Sequence, residues 1–479
     1  MKALDLTQGP IVPTLIAFTL PTLGSNVLQS LNASVNAIWV GHFLGEAPLT
    51  AATNANMVLF LLMAAVFGVV MATGIMVGQS VGARDLVQAK RVVGSSAVFI
   101  VLLSLATAIL GALTAEPILR LMSTPADAMP FAVSYLRIVF IATLPMFFYL
   151  YVAMTLRGAG DARTPFIFMF ISVGLDIALN PLLIFGPGPF PALGIRGAAL
   201  AMLISQTSTL LAMIVLLYRR KHLQIIHRDE LHFLRLDLGI VKVLVTRGLP
   251  MGLQMLIMSS SMLTVLGLIN SYGTETAAAF GAAVQVWTYV QMPVFAIGAA
   301  VTAMAAQNIG AGRWERVSDT TWAGAGINAA LTGLLVAIVL IFNKQALSLF
   351  LPAGSPALPI AAHANVIAVW SFLLFGVTVV LVSTVRATGA VMGPLLVIFG
   401  SLWVVRIPFA YGLAPRWGED AIWWSFPAGS LVGVVLAALY YRYGNWRKIR
   451  LMTGVSKRAQ QPGASAEVRA DRSVESVEQ

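Results

Sequence analysis

Gln79-Ser-Val-Gly-Ala83 returns in the second half of the chain as Gln307-Asn-Ile-Gly-Ala311, 228 positions later. Around that pair other echoes fall into step. Arg157-Gly-Ala-Gly160 returns as Arg386-Ala-Thr-Gly389, and each arginine is followed eight residues on by a proline, Pro165 or Pro394. Leu20-Pro21 returns as Leu249-Pro250. The offsets stay at 228 or 229, so one alignment lays the second half on the first. Each copy is too long for a solenoid repeat and is apolar throughout, the pattern of carriers whose two lobes rock against each other.

Composition agrees with a membrane setting. The 479 residues are 58% hydrophobic and 10% charged, with a mean hydropathy of +0.85, whereas a soluble domain carries about 25% charged residues. Apolar stretches long enough to cross a hydrocarbon core of ~30 Å as helices lie near 11–35, 52–78, 92–115, 131–154, 166–186 and 194–218. A second six lie near 240–269, 278–305, 322–343, 360–384, 394–414 and 421–443. The sequence therefore predicts an all-α integral membrane protein with twelve transmembrane helices in two pseudo-symmetric six-helix lobes. The N-lobe is 1–218, an inter-lobe loop is 219–239 and the C-lobe is 240–453; the polar tail 454–479 has little to bury and is expected to be disordered.

Basic residues orient the spans. With both ends and alternate loops on one side, only Arg120, Arg137, Arg196, Lys344, Arg406 and Arg416 fall elsewhere, leaving 24 of the 30 lysines and arginines on that side. Positive charge marks the cytoplasm. A multi-pass protein of a bacterial-type inner membrane, with both termini cytoplasmic, is expected. The net charge of +11 is explained by this topology, so no nucleic-acid partner is inferred. The N-terminus lacks a basic leader region and a cleavage site, and the first apolar run reads as a retained helix.

Several chemistries are excluded. With no cysteine there is no disulfide, thiolate metal site or cysteine nucleophile. No histidine–carboxylate group has metal-ligand spacing, His363 stands alone in its span, and no phosphate-binding loop occurs. An enzyme is not expected, nor any cofactor beyond a coupling ion.

The polar residues inside the spans carry the functional reading. Thr22, Ser25, Asn26, Gln29, Asn32 and Asn36 fall within an arc of about 120° on span 1 at 100° per residue. Such a stripe must face protein or a water-filled cavity. Asp176 is an acid deep within span 5, and Ser172, Asp176 and Asn180 share one face of that span. A carboxyl alternately wetted and dried exchanges a proton, and with Asn36 and Asn180 as neutral oxygen donors it offers sodium a site instead. In the second lobe, Met251, Met255 and Met258 on span 7 lie at a depth comparable to that of Gln285, Trp287, Tyr289, Gln291 and Met292 on span 8. Adaptable methionines and aromatic faces suit flat organic cations.

The ordered set of motifs resembles one family. Leu20-Pro21, Val40-Gly-His42, Gly78-Gln-Ser-Val-Gly-Ala83 and Leu156-Arg-Gly-Ala-Gly-Asp161 lie in the first half. Leu193-Gly-Ile-Arg-Gly-Ala-Ala199, Gly248-Leu-Pro250, Gln307-Asn-Ile-Gly-Ala-Gly312 and Arg406-Ile-Pro408 follow. Over residues 5–450 the chain is similar to the multidrug and toxic compound extrusion (MATE) family. The resemblance implies a V-shaped carrier that exports amphipathic, often cationic compounds in exchange for protons or sodium ions. It also implies an aspartate where Asn36 stands, and an asparagine and carboxylate four apart where Asp176 and Asn180 occur in the reverse order. Sodium-coupled members carry carboxylates near the places of Met258 and Phe375.

The expected function is thus a secondary multidrug antiporter. Asp176, Asn180, Asn36 and Ser172 form the ion-coupling set, with protons favoured over sodium. Gln29, Asn32, Met255, Met258, Gln285 and Tyr289 are expected to line the substrate cavity. The alternative is a flippase of related architecture for a lipid-linked glycan or another narrow substrate; a lipid-linked glycan would need a strongly cationic cavity. Two lobes in one chain make a monomer sufficient. The glycines of the Gln79 and Arg157 motifs suggest tight turns in cytoplasmic loops, with arginine–aspartate pairs between loops as gate elements.

Overall fold

The computed structural model describes residues 4–186, 191–220, 222, 225–352, 354–449 and 451, apart from the side chains of Ala37, His42, Arg228 and Asp229. The expected tail 454–479 lies outside them. The described chain is all helical, as the apolar runs require when no water is present to satisfy backbone groups. Nine long helices come first: α1 Ile11–Leu44, α2 Glu46–Gly82, α3 Leu86–Leu121, α4 Met129–Gly158, α5 Arg163–Phe185, α6 Ile195–Arg219, α7 Leu238–Asn270, α8 Thr274–Gly310 and α9 Trp314–Ile341. They correspond one to one with the first nine expected spans.

The last three spans are built differently. After a short α10, Asn343–Ser348, span 10 is a pair, α11 Ala357–Ala368 and α12 Ser371–Arg386, bent by 47°. Span 11 consists of α13 Met392–Phe399, a π-helical turn Gly400–Arg406 and α14 Ile407–Trp417. Pro408 accounts for the widened turn: it has no N–H to donate to the preceding turn and its ring crowds the carbonyl there. Span 12 is α15, Asp420–Tyr443. Among the described residues eleven helices are long and apolar enough to cross a membrane singly, and the bent pair makes a twelfth.

Helices α2, α4 and α8 are the most buried of the spans. In the first half α2 packs on α3 and α4, α4 on α6, and α5 on α6 and α1; in the second half α8 packs on α9, α11 and α12, and α12 on α15. The halves join where α2 meets α7 and α8, and where α1 meets α8. Contact there is backbone to backbone. A Cβ on Gly68 would lie 2.0 Å from the Gly248 carbonyl oxygen, and one on Gly252 would lie 2.4 Å from that of Ala64. Small residues let membrane helices approach this closely.

The linker is docked as well. Asp237 caps α7 by accepting from the N–H groups of Gly239 and Ile240, and it pairs with Arg91 of α3 at 2.6 Å. Glu230 pairs with Lys90 of the same helix.

Candidate functional site: a buried carboxylate in the N-lobe

Side chains of α1 and α5 meet around Asp176, which is 2% exposed. The Asn36 side-chain amide donates to Asp176 Oδ2 at 2.9 Å. Asn180 Nδ2 donates to Asn36 Oδ1 and to the Asp176 carbonyl, both at 2.8 Å. Asn32 of α1 and Ser205 of α6 lie against the same carboxyl, and Tyr135 of α4 is nearby. Ser172 is buried one turn away on the same face of α5.

The cluster leaves several acceptor oxygens unengaged. Asp176 Oδ1, Asn180 Oδ1 and Asn32 Oδ1 are all buried and have no hydrogen-bond partner among the described residues. A buried acceptor without a partner is costly. A proton on the carboxyl would turn one of these oxygens into a donor, and a small hard cation would engage several of them at once. Among the described residues no three His, Cys, Asp or Glu side chains cluster as for a transition metal.

The structure thus brings Asn36, Asp176 and Asn180 into direct contact and places Asn32 and Ser172 beside them. The polar stripe of α1 divides along its length. Thr22 and Ser25 are buried and turn their hydroxyls back to the carbonyls of Phe18 and Pro21. Gln29 is exposed, and only the far end of the stripe reaches the carboxylate.

In the C-lobe a cavity of about 300 Å³ opens between α7, α8, α12, the π-helical turn and α15. Met258 lies in its wall with Trp287, Gln291 and Phe375. Met255 is half-buried outside the lining, while Gln285 and Tyr289 are exposed on α8.

The repeated motifs meet at the end of the molecule that carries residues 4–8. Gln79 of α2 donates to the carbonyl of Ala387 at 2.7 Å, and Gln307 of α8 donates to that of Gly158 at 2.9 Å. Each bond joins the glutamine of one half to the residue after the motif arginine in the other, so the two are related by the internal symmetry. A Cβ on Gly82 would lie 1.8 Å from the Gln307 carbonyl oxygen, and one on Gly310 would lie 1.9 Å from that of Gln79. The segment Leu4–Gln8 runs beneath this seam. Leu6 N–H donates to Gln307 Oε1 at 3.2 Å, Asn308 donates to the Leu6 carbonyl at 3.0 Å, and Arg313 donates to that of Thr7 at 2.7 Å. Gly160, at φ +95°, turns the chain where any side chain would strike the Leu4 carbonyl.

Two expectations about these motifs need correction. Gln79–Gly82 lies inside α2 and Arg157 in the last turn of α4, so both are helix ends and not loops. The aspartates do not pair with the arginines among the described residues. Asp85 caps α3 through the Gln88 N–H, and Asp161 accepts from the N–H groups of Arg163 and Thr164 and from the Thr164 hydroxyl. Short acids at a helix start satisfy orphan N–H groups, a signal that the sequence did carry.

Comparison with known proteins decides the family. The MatE family profile matches residues 21–182 and again residues 250–412, once in each half. The chain belongs to the MatE family. It is a multi-pass membrane transporter and not an enzyme. The probable multidrug resistance protein YoeA of Bacillus subtilis is 36% identical over 90% of this chain and 93% of its own length. YpnP of the same organism, also described as a probable multidrug resistance protein, is 32% identical over 95% of this chain and its full length. A MATE transporter solved in an outward-facing conformation superposes with a TM-score of 0.84 at 22% identity, over 92% of this chain and 97% of that one. The paired match of the family profile agrees with the duplication read from the sequence.

Proposed function

We propose that this MatE transporter exports small amphipathic organic compounds, often cationic, in exchange for protons entering the cell. The observation that carries the reading is the Asp176 cluster: a buried carboxyl held by Asn36 at 2.9 Å, with Oδ1 unpartnered. A carboxylate that binds either a proton or an organic cation couples their movements by competition, provided its affinities differ between the two states of the carrier. The end bearing residues 4–8 is assigned to the cytoplasm of a bacterial-type inner membrane, in keeping with the basic loops. The seam of Gln79 and Gln307 then closes the inner side, and protonation from outside releases substrate outward. A single chain is sufficient for this cycle, so the working unit is a monomer.

Sodium is the second reading, favoured by the three unpartnered acceptor oxygens. The lipid-linked glycan alternative is less well supported, since Arg406 is the one cation among the residues lining the C-lobe cavity. The test is ethidium movement in everted vesicles bearing wild type or Asp176→Asn, with an imposed pH gradient and with or without sodium. Transport driven by the pH gradient alone and lost in the variant is the expected result. A sodium requirement would reassign the ion, and an unimpaired variant would remove Asp176 from coupling.

A further inference from the structure

Span 11 turns an arginine into the C-lobe cavity. Arg406 ends the π-helical turn Gly400–Arg406, is 8% exposed, and lines the cavity of about 300 Å³. Its guanidinium carbon sits 3.6 Å over the ring of Phe426. Among the described residues Nη2 reaches only the Met262 sulfur at 3.8 Å, a weak acceptor, and Nε has no partner. No carboxylate among the described residues lies within ion-pair distance, and no acid lines the cavity. Arg386 in span 10, by contrast, donates to Gln254 Oε1 at 2.8 Å.

A guanidinium is a permanent cation, and burying one without an anion is strongly disfavoured. The ring of Phe426 covers one face of Arg406 but leaves its N–H edge without an acceptor of the matching kind. That edge is a planar fork suited to donating two parallel hydrogen bonds to a carboxylate. Beyond it the walls are Trp287, Phe372 and Phe375, and Ser259 and Gln291 supply hydrogen-bonding groups. The volume lies at the small end of ligand pockets and suits one or two fused rings. The π-helical turn is itself a costly local geometry that recurs at functional sites.

We propose that the C-lobe cavity binds a small aromatic carboxylate, whose anionic group pairs with Arg406 and whose ring lies against Trp287, Phe372 and Phe375. The site is separate from the Asp176 cluster and of opposite charge. It gives the transporter a place for organic anions or for the anionic end of a zwitterion.

The test is calorimetric titration of the purified full-length protein in phosphatidylcholine nanodiscs, which offer no anionic lipid to compete. The ligands are 2-naphthoate, its neutral counterpart 2-naphthamide and cationic 2-naphthylmethylammonium. Wild type is expected to bind the carboxylate about tenfold or more tightly than the amide, a charge-assisted pair being roughly twice as strong as a neutral one. Arg406→Gln is expected to lose that preference and Arg406→Lys to keep part of it. Equal binding of carboxylate and amide by wild type, preference for the ammonium, or an undiminished preference in Arg406→Gln would overturn the proposal. The wild-type comparison decides the matter even if the variants misfold. Binding is read at equilibrium without an ion gradient, so the coupling role of Asp176 can fail while this site stands.

Discussion

Replacing Gln307 by alanine should loosen the seam by an amount that the structure lets one work out. Gln307 is 1% exposed. Its Nε2 donates to the Gly158 carbonyl at 2.9 Å and its Oε1 accepts from the Leu6 N–H at 3.2 Å. Truncation leaves a carbonyl and an N–H unpaired in a buried place, each costing about 1–3 kcal/mol. With some water entering the gap, the net penalty is about 2–4 kcal/mol. Both bonds cross between the halves, so the penalty falls on the sealed conformation and not on one in which the seam has parted. About 2 kcal/mol shifts the ratio of two conformations roughly thirtyfold. Gln79→Ala removes a single cross-lobe bond, to Ala387, and should shift it less. The chain has no cysteine, so spin labels at Ala83→Cys and Ala311→Cys report the distance across the seam without background. The variants are expected to show a longer second distance, more populated in Gln307→Ala than in Gln79→Ala. Unchanged distance distributions in Gln307→Ala would refute the view that the glutamine pair holds the two halves closed.

Three further outcomes follow from packing and charge. Gly68→Ala should lower the unfolding temperature by several degrees, because the new methyl would lie 2.0 Å from the Gly248 carbonyl oxygen; Gly174→Ala, with nothing within 4 Å, should be neutral or gain up to about 1 kcal/mol. Trp287→Phe should cost about 1–3 kcal/mol in thermal unfolding by leaving the buried Asn365 Oδ1 without its 2.7 Å indole donor. The linker should leave α3 in acid. The hydrogen bond from Lys90 holds the Glu230 carboxyl below its ordinary range. At Asp237 partial burial pulls upward but is outweighed by the N–H groups of Ile240 and Gly239 and by Arg91. Both carboxyls titrate lower when docked, so their contribution is complete above about pH 4–5 and is lost as pH falls through the docked values. Hydrogen exchange of residues 225–237 should therefore be slow at pH 6 and accelerate, relative to the intrinsic rate, below about pH 4.

Much of this architecture was legible in the sequence, for physical reasons. A membrane leaves few choices for an apolar run of twenty residues, so spans and their number followed from length and hydropathy. Asp176 stood out because an acid within a span needs an explanation, and its companions one turn away, Ser172 and Asn180, share its helical face. Other features left no signal. The 47° break of span 10 falls at Val369–Trp370, where neither glycine nor proline stands. It accompanies the tertiary bonds of Asn365, which reach Trp287 and Asn343. The π-helical turn had its cue in Pro408, but a proline in a membrane helix is common enough to be ambiguous. The duplicated motifs announced the repeat without saying that a motif of one copy binds the other motif of the second copy. Gln285 and Tyr289 had helical spacing and suitable chemistry, yet which face of α8 meets α12 and α15 is decided by packing, and the cavity was assigned to Trp287, Thr288 and Gln291.

Central to the account is competition between proton and substrate at Asp176, and it is measured most directly without transport. Purified protein in a weakly buffered solution with a pH indicator is mixed with ethidium, and released protons are counted against bound dye. Wild type is expected to release protons on binding, while Asp176→Asn binds or fails to bind without releasing any. Dye binding to wild type with no proton release, or equal release from the variant, would contradict the account.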